Sequence, residues 1–491
     1  MRSTIKIVIL LFFICISMSG ASFPDMEKYM RQHALIWEQL PMQWNEGAFL
    51  GNGLVGMMVY ADSTLNALVF HLGRPDVTDH RKAPYRKTSI GTEEADKMVD
   101  FCRLDVGKML LFPEGKILSG TFYLDIYNAE LTGHLKTDKG DLTFHAYTPQ
   151  PEEVNIVEVS SGVPYRWKGI PGNPCSPRIR VFPHLKEKLK YKDNPAPVVN
   201  QKDKEGSWVQ SLLAGGDYAT YWKEVPGGKS RSVLYVSTAN EVPASSLSLA
   251  KAMKTVEATQ ITGTKLLKQK TRQWWNAYHE RSFLSIPDKK LENFYFIQMY
   301  KLATCSHPDG PAMDVMGTFF KLSPWPSFWW NLNIQLTYMP IGPANRMEQG
   351  KNFQRLMDEV FPSLVRSIEP CKIGDYTWAL QNYYMYLRYA GADWQDIKQQ
   401  VVPKALDAFA VFDKILCYKE NTWHLTHIES PEYEGFQKYN DSNYGLASLS
   451  WLLQTLIACH DRTSSTHPDY ARWKEILTRL APYPTNENGL M

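Results

Sequence analysis

Between Trp37 and Val242 the apolar residues tend to alternate with polar ones, and from Asp288 onward they recur every third and fourth position. A period of two belongs to strands with one buried face and a period near 3.6 to amphipathic helices, so the chain reads as a β part followed by an α part. Strand-like runs at 54–60, 66–72, 120–127, 142–147, 154–160 and 232–237 are separated by Gly, Pro and Asn clusters. Strands this numerous, with no helix between them, bury their apolar faces by packing as a large β-sandwich. Residues 250–278 turn helical and read as a connector. Helical segments then follow at 291–303, after Trp330, and at 353–368, 376–389, 394–416, 444–459 and 470–480, the pattern of an all-α toroid.

The chain opens with Arg2 and Lys6, an apolar run over 7–18, and the small residues Ser19, Gly20 and Ala21, which are the parts of a secretory signal peptide. That run is shorter than the roughly 20 residues a spanning helix needs, so export without a membrane anchor is expected, to the periplasm or beyond the cell. Cys102, Cys175, Cys305, Cys371, Cys417 and Cys459 are widely scattered with no C-x-x-C pair, which argues against a disulfide scaffold and a structural zinc site. A formal net charge of +3 on 491 residues gives no reason to expect a nucleic-acid partner. Oligomeric state is not legible.

Gly51-Asn52-Gly53-Leu54-Val55-Gly56 fits G-x-G-x-x-G but runs into a strand rather than opening a helix, so it reads as a turn needing positive φ and not as a dinucleotide site. No phosphate-binding loop, calcium loop, H-E-x-x-H or nucleophile elbow is present, and neither a cofactor nor a metal is expected. The chemistry is concentrated in two stretches. Residues 324–338 combine two prolines with Trp325, Trp329, Trp330 and the amides Asn331 and Asn333, a mixture suited to holding a sugar. Asn331 and Asn333 are two apart, so both serve one pocket only if the backbone is irregular or just entering a helix. A buried aromatic helix start accounts for the same residues. Residues 426–436 frame several carboxylates between Pro431 and Gly435, followed by Asp441 at an apparent helix N-cap. Glu432 beside Tyr433 suits a carboxylic acid kept protonated by an aromatic surround, although a surface glutamate after a proline is the commoner role.

Taken in order, Leu50-Gly51-Asn52-Gly53-Leu54-Val55-Gly56, the N-x-N of Asn331 and Asn333, and Ser430-Pro431-Glu432 resemble glycoside hydrolase family 95, the inverting α-L-fucosidases and α-L-galactosidases. The resemblance implies a β-super-sandwich over 22–245 after the signal peptide 1–21, a helical linker over 246–286, and the first part of an incomplete (α/α)6 catalytic barrel over 287–491. It implies Glu432 as general acid, and Asn331 and Asn333 as the amides that hold and activate the attacking water. Trp325, Trp329, Trp330 and Tyr433 become substrate-binding residues, and the partner an oligosaccharide or polysaccharide. Two departures qualify it. The family's late aspartate, which polarises one amide, has no counterpart here, and Trp329 stands where the fucosidases usually carry a histidine. The resemblance therefore implies a chain interrupted within its barrel, with little or no hydrolase activity alone. The alternatives are a glycan-binding remnant or a phosphorylase of related architecture.

Overall fold

A computed structural model describes residues 25–81, 102–241, 247–328, 331–429 and 437–489. The signal-peptide reading falls outside these residues, as do Trp329, Trp330 and 430–436, which include Glu432 and Tyr433.

The alternating pattern forms two antiparallel sheets. One has nine strands in the order β1-β6-β7-β8-β9-β14-β13-β12-β11, and the other has five in the order β10-β5-β4-β3-β2. The strands of the larger sheet are β1 Leu35–Trp37, β6 Ile117–Asp125, β7 Glu130–Thr137, β8 Asp141–Tyr147, β9 Asn155–Ser161, β11 Val198–Gln201, β12 Glu205–Ser211, β13 Asp217–Pro226 and β14 Arg231–Glu241. Those of the smaller are β2 Ala48–Gly51, β3 Gly56–Asp62, β4 Ala67–Gly73, β5 Lys108–Pro113 and β10 Tyr165–Ile170. Aromatic rings lock the sheets face to face. Phe70 of β4 meets Phe144 of β8 across the two sheets, edge-on at 5.5 Å between centroids, and is backed within its own sheet by Trp167 of β10 at 5.4 Å.

The glycine motif is the turn between β2 and β3. Gly53 has φ +82°, and an added Cβ there would lie 2.3 Å from the backbone of Ser306, which explains the glycine on both conformational and packing grounds. Asn52 accepts from the amides of Leu54 and Val55 at 3.0 Å each and donates to the carbonyls of Pro149 and Glu152 at 2.8 Å each. The motif is thus a structural junction between the sandwich and the helical part.

Gly263 divides the connector into helices Ser248–Thr262 and Thr264–His279. Helix Lys289–Cys305 follows, and its Phe296, Tyr300 and Ala303 join Trp275 and Tyr278 in the same apolar core as the sandwich strands. The sandwich core is therefore closed by side chains from beyond it. A second core holds the remaining helices around Ile373–Tyr389, which is buried on nearly all sides and packs against Asn443–Thr463, Val402–Phe412 and Asn333–Tyr338.

Two expected long helices are broken. Segment 353–368 becomes Lys351–Glu359 and Phe361–Arg366, and segment 394–416 becomes Trp394–Gln400 and Val402–Phe412. Pro362 and Pro403 sit in the first turn of each second helix, where a missing N–H costs least. The end of the second segment is instead a hairpin, Leu416–Lys419 with Thr422–Leu425, turning through Glu420 and Asn421 at φ 50° and 65°.

Candidate active site

Pro324-Trp325-Pro326 is held in place by two arginines of the β part. Arg103 is 1 % exposed. Its guanidinium pairs with Asp314 at 3.1 Å and donates to the carbonyl of Gly317 at 2.6 Å, while its backbone N–H donates to Pro326 at 2.6 Å. Arg178 donates to the carbonyl of Pro324 and lies 4.9 Å over the ring of Trp325. The indole is thereby presented on edge of a cavity of about 1310 Å³ between the sandwich, helix Lys289–Cys305 and segment 313–340. Trp44, Phe294 and Phe319 give this cavity an aromatic lining, with Lys301, Lys321 and Asn333 among its polar groups. Asp314 also borders it, but its carboxylate is taken by Arg103 and by the Met316 amide at 2.8 Å.

The N-x-N segment is irregular, as its spacing required. Leu332 has φ 67° and ψ −62°, and the Asn333 amide donates to the Asn331 carbonyl at 2.8 Å, the geometry of a γ-turn that non-glycine residues seldom adopt. Helix Asn333–Tyr338 starts directly after it. The turn separates the two amides. Asn333 is exposed on the cavity, whereas Asn331 is 3 % exposed, does not line it, and has an amide nitrogen without a hydrogen-bond partner among the described residues. The expectation that both asparagines share one pocket is thus not met by this cavity. Trp325 and Asn333 are brought together there.

The other face of the same short helix meets a buried carboxyl that the sequence did not single out. Gln335 donates through Nε2 to the Asp375 carbonyl at 2.9 Å, and Asn382 donates to the Gln335 carbonyl at 2.9 Å. The Asp375 side chain accepts from the Tyr444 hydroxyl at 2.7 Å. Tyr444 comes this close because its ring lies against Gly374, where a Cβ would sit 2.4 Å from the ring edge. Burial pushes the Asp375 carboxyl up to about 7, with the Glu429 charge acting in the same direction, while the Tyr444 hydroxyl and Lys372 oppose it. Glu429 belongs to the ribbon Ile428–Glu429 paired with Lys438–Tyr439. Glu429, three residues before Glu432 in sequence, therefore lies near a carboxyl that holds a proton near neutrality. The only sequence signal for Asp375 was an acidic residue in the first turn of a helix, which is commonplace.

Asp441 is not the N-cap expected. Ser442 caps helix Asn443–Thr463 by accepting from the Gly445 amide at 3.2 Å. Asp441 instead accepts from the Leu425 amide at 2.8 Å and bonds His424 Nδ1 at 2.7 Å, tying the hairpin to the start of the helix.

The raised Asp375 pKa has a definite sign. The folded chain binds this proton more tightly than the unfolded chain, whose carboxyl titrates near 3.8, so the stabilisation is complete below that value and is lost as pH rises through about 7. Asp375→Asn keeps an acceptor for Tyr444 and removes the buried charge. The variant is expected to melt several degrees above the parent at pH 8, with the advantage gone below pH 4, in thermal melts across that range. A constant difference at every pH would contradict the assignment.

No family model matches the sequence, and no curated protein matches it. Among solved structures it is similar to a protein assigned as a kojibiose phosphorylase from the human microbiome, with TM-score 0.60 and 10 % identity over 91 % of this chain and 70 % of that one. It is also similar to a bacterial glucoamylase complexed with acarbose, with TM-score 0.51 and 9 % identity over 91 % of this chain and 69 % of that one. What is shared is the fold. At these identities the likeness extends to an antiparallel β-sandwich followed by a helical part, and membership of glycoside hydrolase family 95 is not shown by it.

Proposed function

We propose that this chain is a carbohydrate-active enzyme of the glycoside hydrolase type that acts on terminal α-linked L-fucose-type sugars of complex glycans with inversion at the anomeric carbon. The observation that carries the sugar reading is the cavity at the junction of sandwich and helices, where Trp325 supplies an aromatic face and Asn333 an amide. Two structures of similar fold bear the names of enzymes of glycosidic bonds, which supports it. The finer assignments rest on the family resemblance. By that resemblance Glu432 donates the proton to the leaving oxygen and Asn331 and Asn333 hold the water, with Trp329, Trp330 and Tyr433 around the sugar; of the two amides only Asn333 lines the Trp325 cavity, so it is the one placed to reach a water there. The region 287–491 is then part of an (α/α)6 barrel, and the signal-peptide reading of 1–21 places the action outside the cytoplasm.

The assay is the purified protein with α-L-fucosides and α-L-galactosides, with and without inorganic phosphate, the anomeric configuration of the product being followed by NMR. Hydrolysis with inversion supports the proposal, and a retained configuration overturns the inverting mechanism. Turnover only with phosphate, giving a sugar phosphate, favours the phosphorylase reading that the first structural likeness keeps open. Saturable binding without turnover favours the glycan-binding alternative.

A further inference from the structure

The outward face of the nine-stranded sheet changes character along its strands. Tyr147, Ile156 and Tyr235 are aligned across β8, β9 and β14 and lie in an apolar cluster with Ala252 and Val256 of helix Ser248–Thr262. Two residues further along each strand, the aligned row is Thr132, His145, Glu158 and Val233, and the next is His134, Thr143, Ser160 and Arg231. These two mainly polar rows floor a cavity of about 1030 Å³, and helix Thr264–His279 roofs it with Lys265, Lys268, Gln269 and Arg272.

Part of the charge is spent internally. Arg272 and His145 both bind Glu130, at 2.7 and 2.9 Å, and Lys268 binds Glu158 at 2.9 Å. Arg231 and Lys265 stand outside this network, with no carboxylate partner among the described residues. Their charge leaves the groove net cationic. His145 Nδ1 is shut off from solvent and faces the Glu158 carboxylate at 3.8 Å, so His145 belongs to the internal network and not to the open binding surface. Among the described residues the groove offers hydroxyls, amides and cations, and its one exposed ring is the His134 imidazole, with no exposed Phe, Tyr or Trp, which disfavours neutral sugars held by stacking and favours a polyhydroxylated anion.

We propose that this groove is a second saccharide-binding site, separate from the Trp325 cavity, that takes an acidic oligosaccharide carrying sulfate or carboxylate groups, with Arg231 and Lys265 pairing with the acid and the floor hydroxyls and roof amides with the sugar. It stands whichever sugar the Trp325 cavity takes.

The test is isothermal titration of the protein with a chondroitin sulfate tetrasaccharide, tetragalacturonate, maltotetraose and inorganic sulfate. At least one acidic oligosaccharide is expected to bind, with maltotetraose and sulfate far weaker. Arg231→Ala combined with Lys265→Ala should weaken that binding by about tenfold or more, each removed cation taking a charge-assisted bond with it. Thr143→Tyr, which fills the floor without changing charge, should weaken it comparably, and both variants should melt like the parent. The proposal is overturned if neither acidic oligosaccharide binds, if inorganic sulfate binds as well as they do, or if folded forms of both variants bind like the parent.

Discussion

Glu432→Gln is expected to lower kcat on a natural glycoside by about 10²- to 10⁴-fold, the range that a positioned general acid contributes. The amide keeps the shape and polarity of the carboxyl but has no proton to give the departing oxygen. Sugar binding should persist, since the aromatic and amide contacts are untouched. The loss should shrink for an aryl glycoside whose leaving group needs little protonation, and this contrast separates a lost proton from a disturbed loop. Equal losses on both substrates, or an unchanged kcat, would remove Glu432 from the mechanism. The pH profile adds a check. Glu429, just before Glu432 in sequence, lies in a ribbon near Asp375, whose proton is held to about 7, so Asp375→Asn should move the alkaline limb of kcat/KM only if Asp375 and Glu432 work on one sugar.

The second large effect is on stability. Arg103→Met is expected to destabilise the fold by about 3–5 kcal/mol, because it leaves the Asp314 carboxylate buried without its cation. The two side chains are 2 % and 8 % exposed, so solvent replaces little of what is lost. The same substitution frees the Gly317 carbonyl and loosens the segment that carries Trp325, so affinity for sugar should fall along with the melting temperature. The double variant Arg103→Met with Asp314→Leu should recover part of the stability, since no unpaired charge remains. Equilibrium denaturation of the parent, the two single variants Arg103→Met and Asp314→Leu, and the double variant settles it; additive losses would show that the two residues do not act as a pair.

Periodicity made most of the fold legible. The runs at 54–60, 142–147 and 154–160 correspond to β3, β8 and β9: 142–147 alternates because β8 buries mainly one face, whereas 54–60 is a continuous apolar run because β3 is buried on both faces. Helix Ile373–Tyr389 was found from its apolar spacing within three residues at one end. The breaks at Pro362 and Pro403 carried a signal that the apolar period masked, since the pattern continues across both prolines. The hairpin after Leu416 had little signal, because Glu420 is an unusual residue for a left-handed turn position.

The site divides in the same way. That Asn331 and Asn333 need an irregular backbone to act together follows from their spacing alone, and so does the turn at Gly53. Neither Arg103, 211 residues from Asp314, nor Asp375, 69 residues from Tyr444, could be singled out, because each depends on a contact between distant parts of the chain. Local sequence determined the periods, breaks and turns of this protein, since those depend on neighbouring φ, ψ and side-chain geometry. Tertiary structure decided which amide faces the cavity and which carboxyl keeps its proton, because burial and electrostatic partners come into being only when remote segments meet.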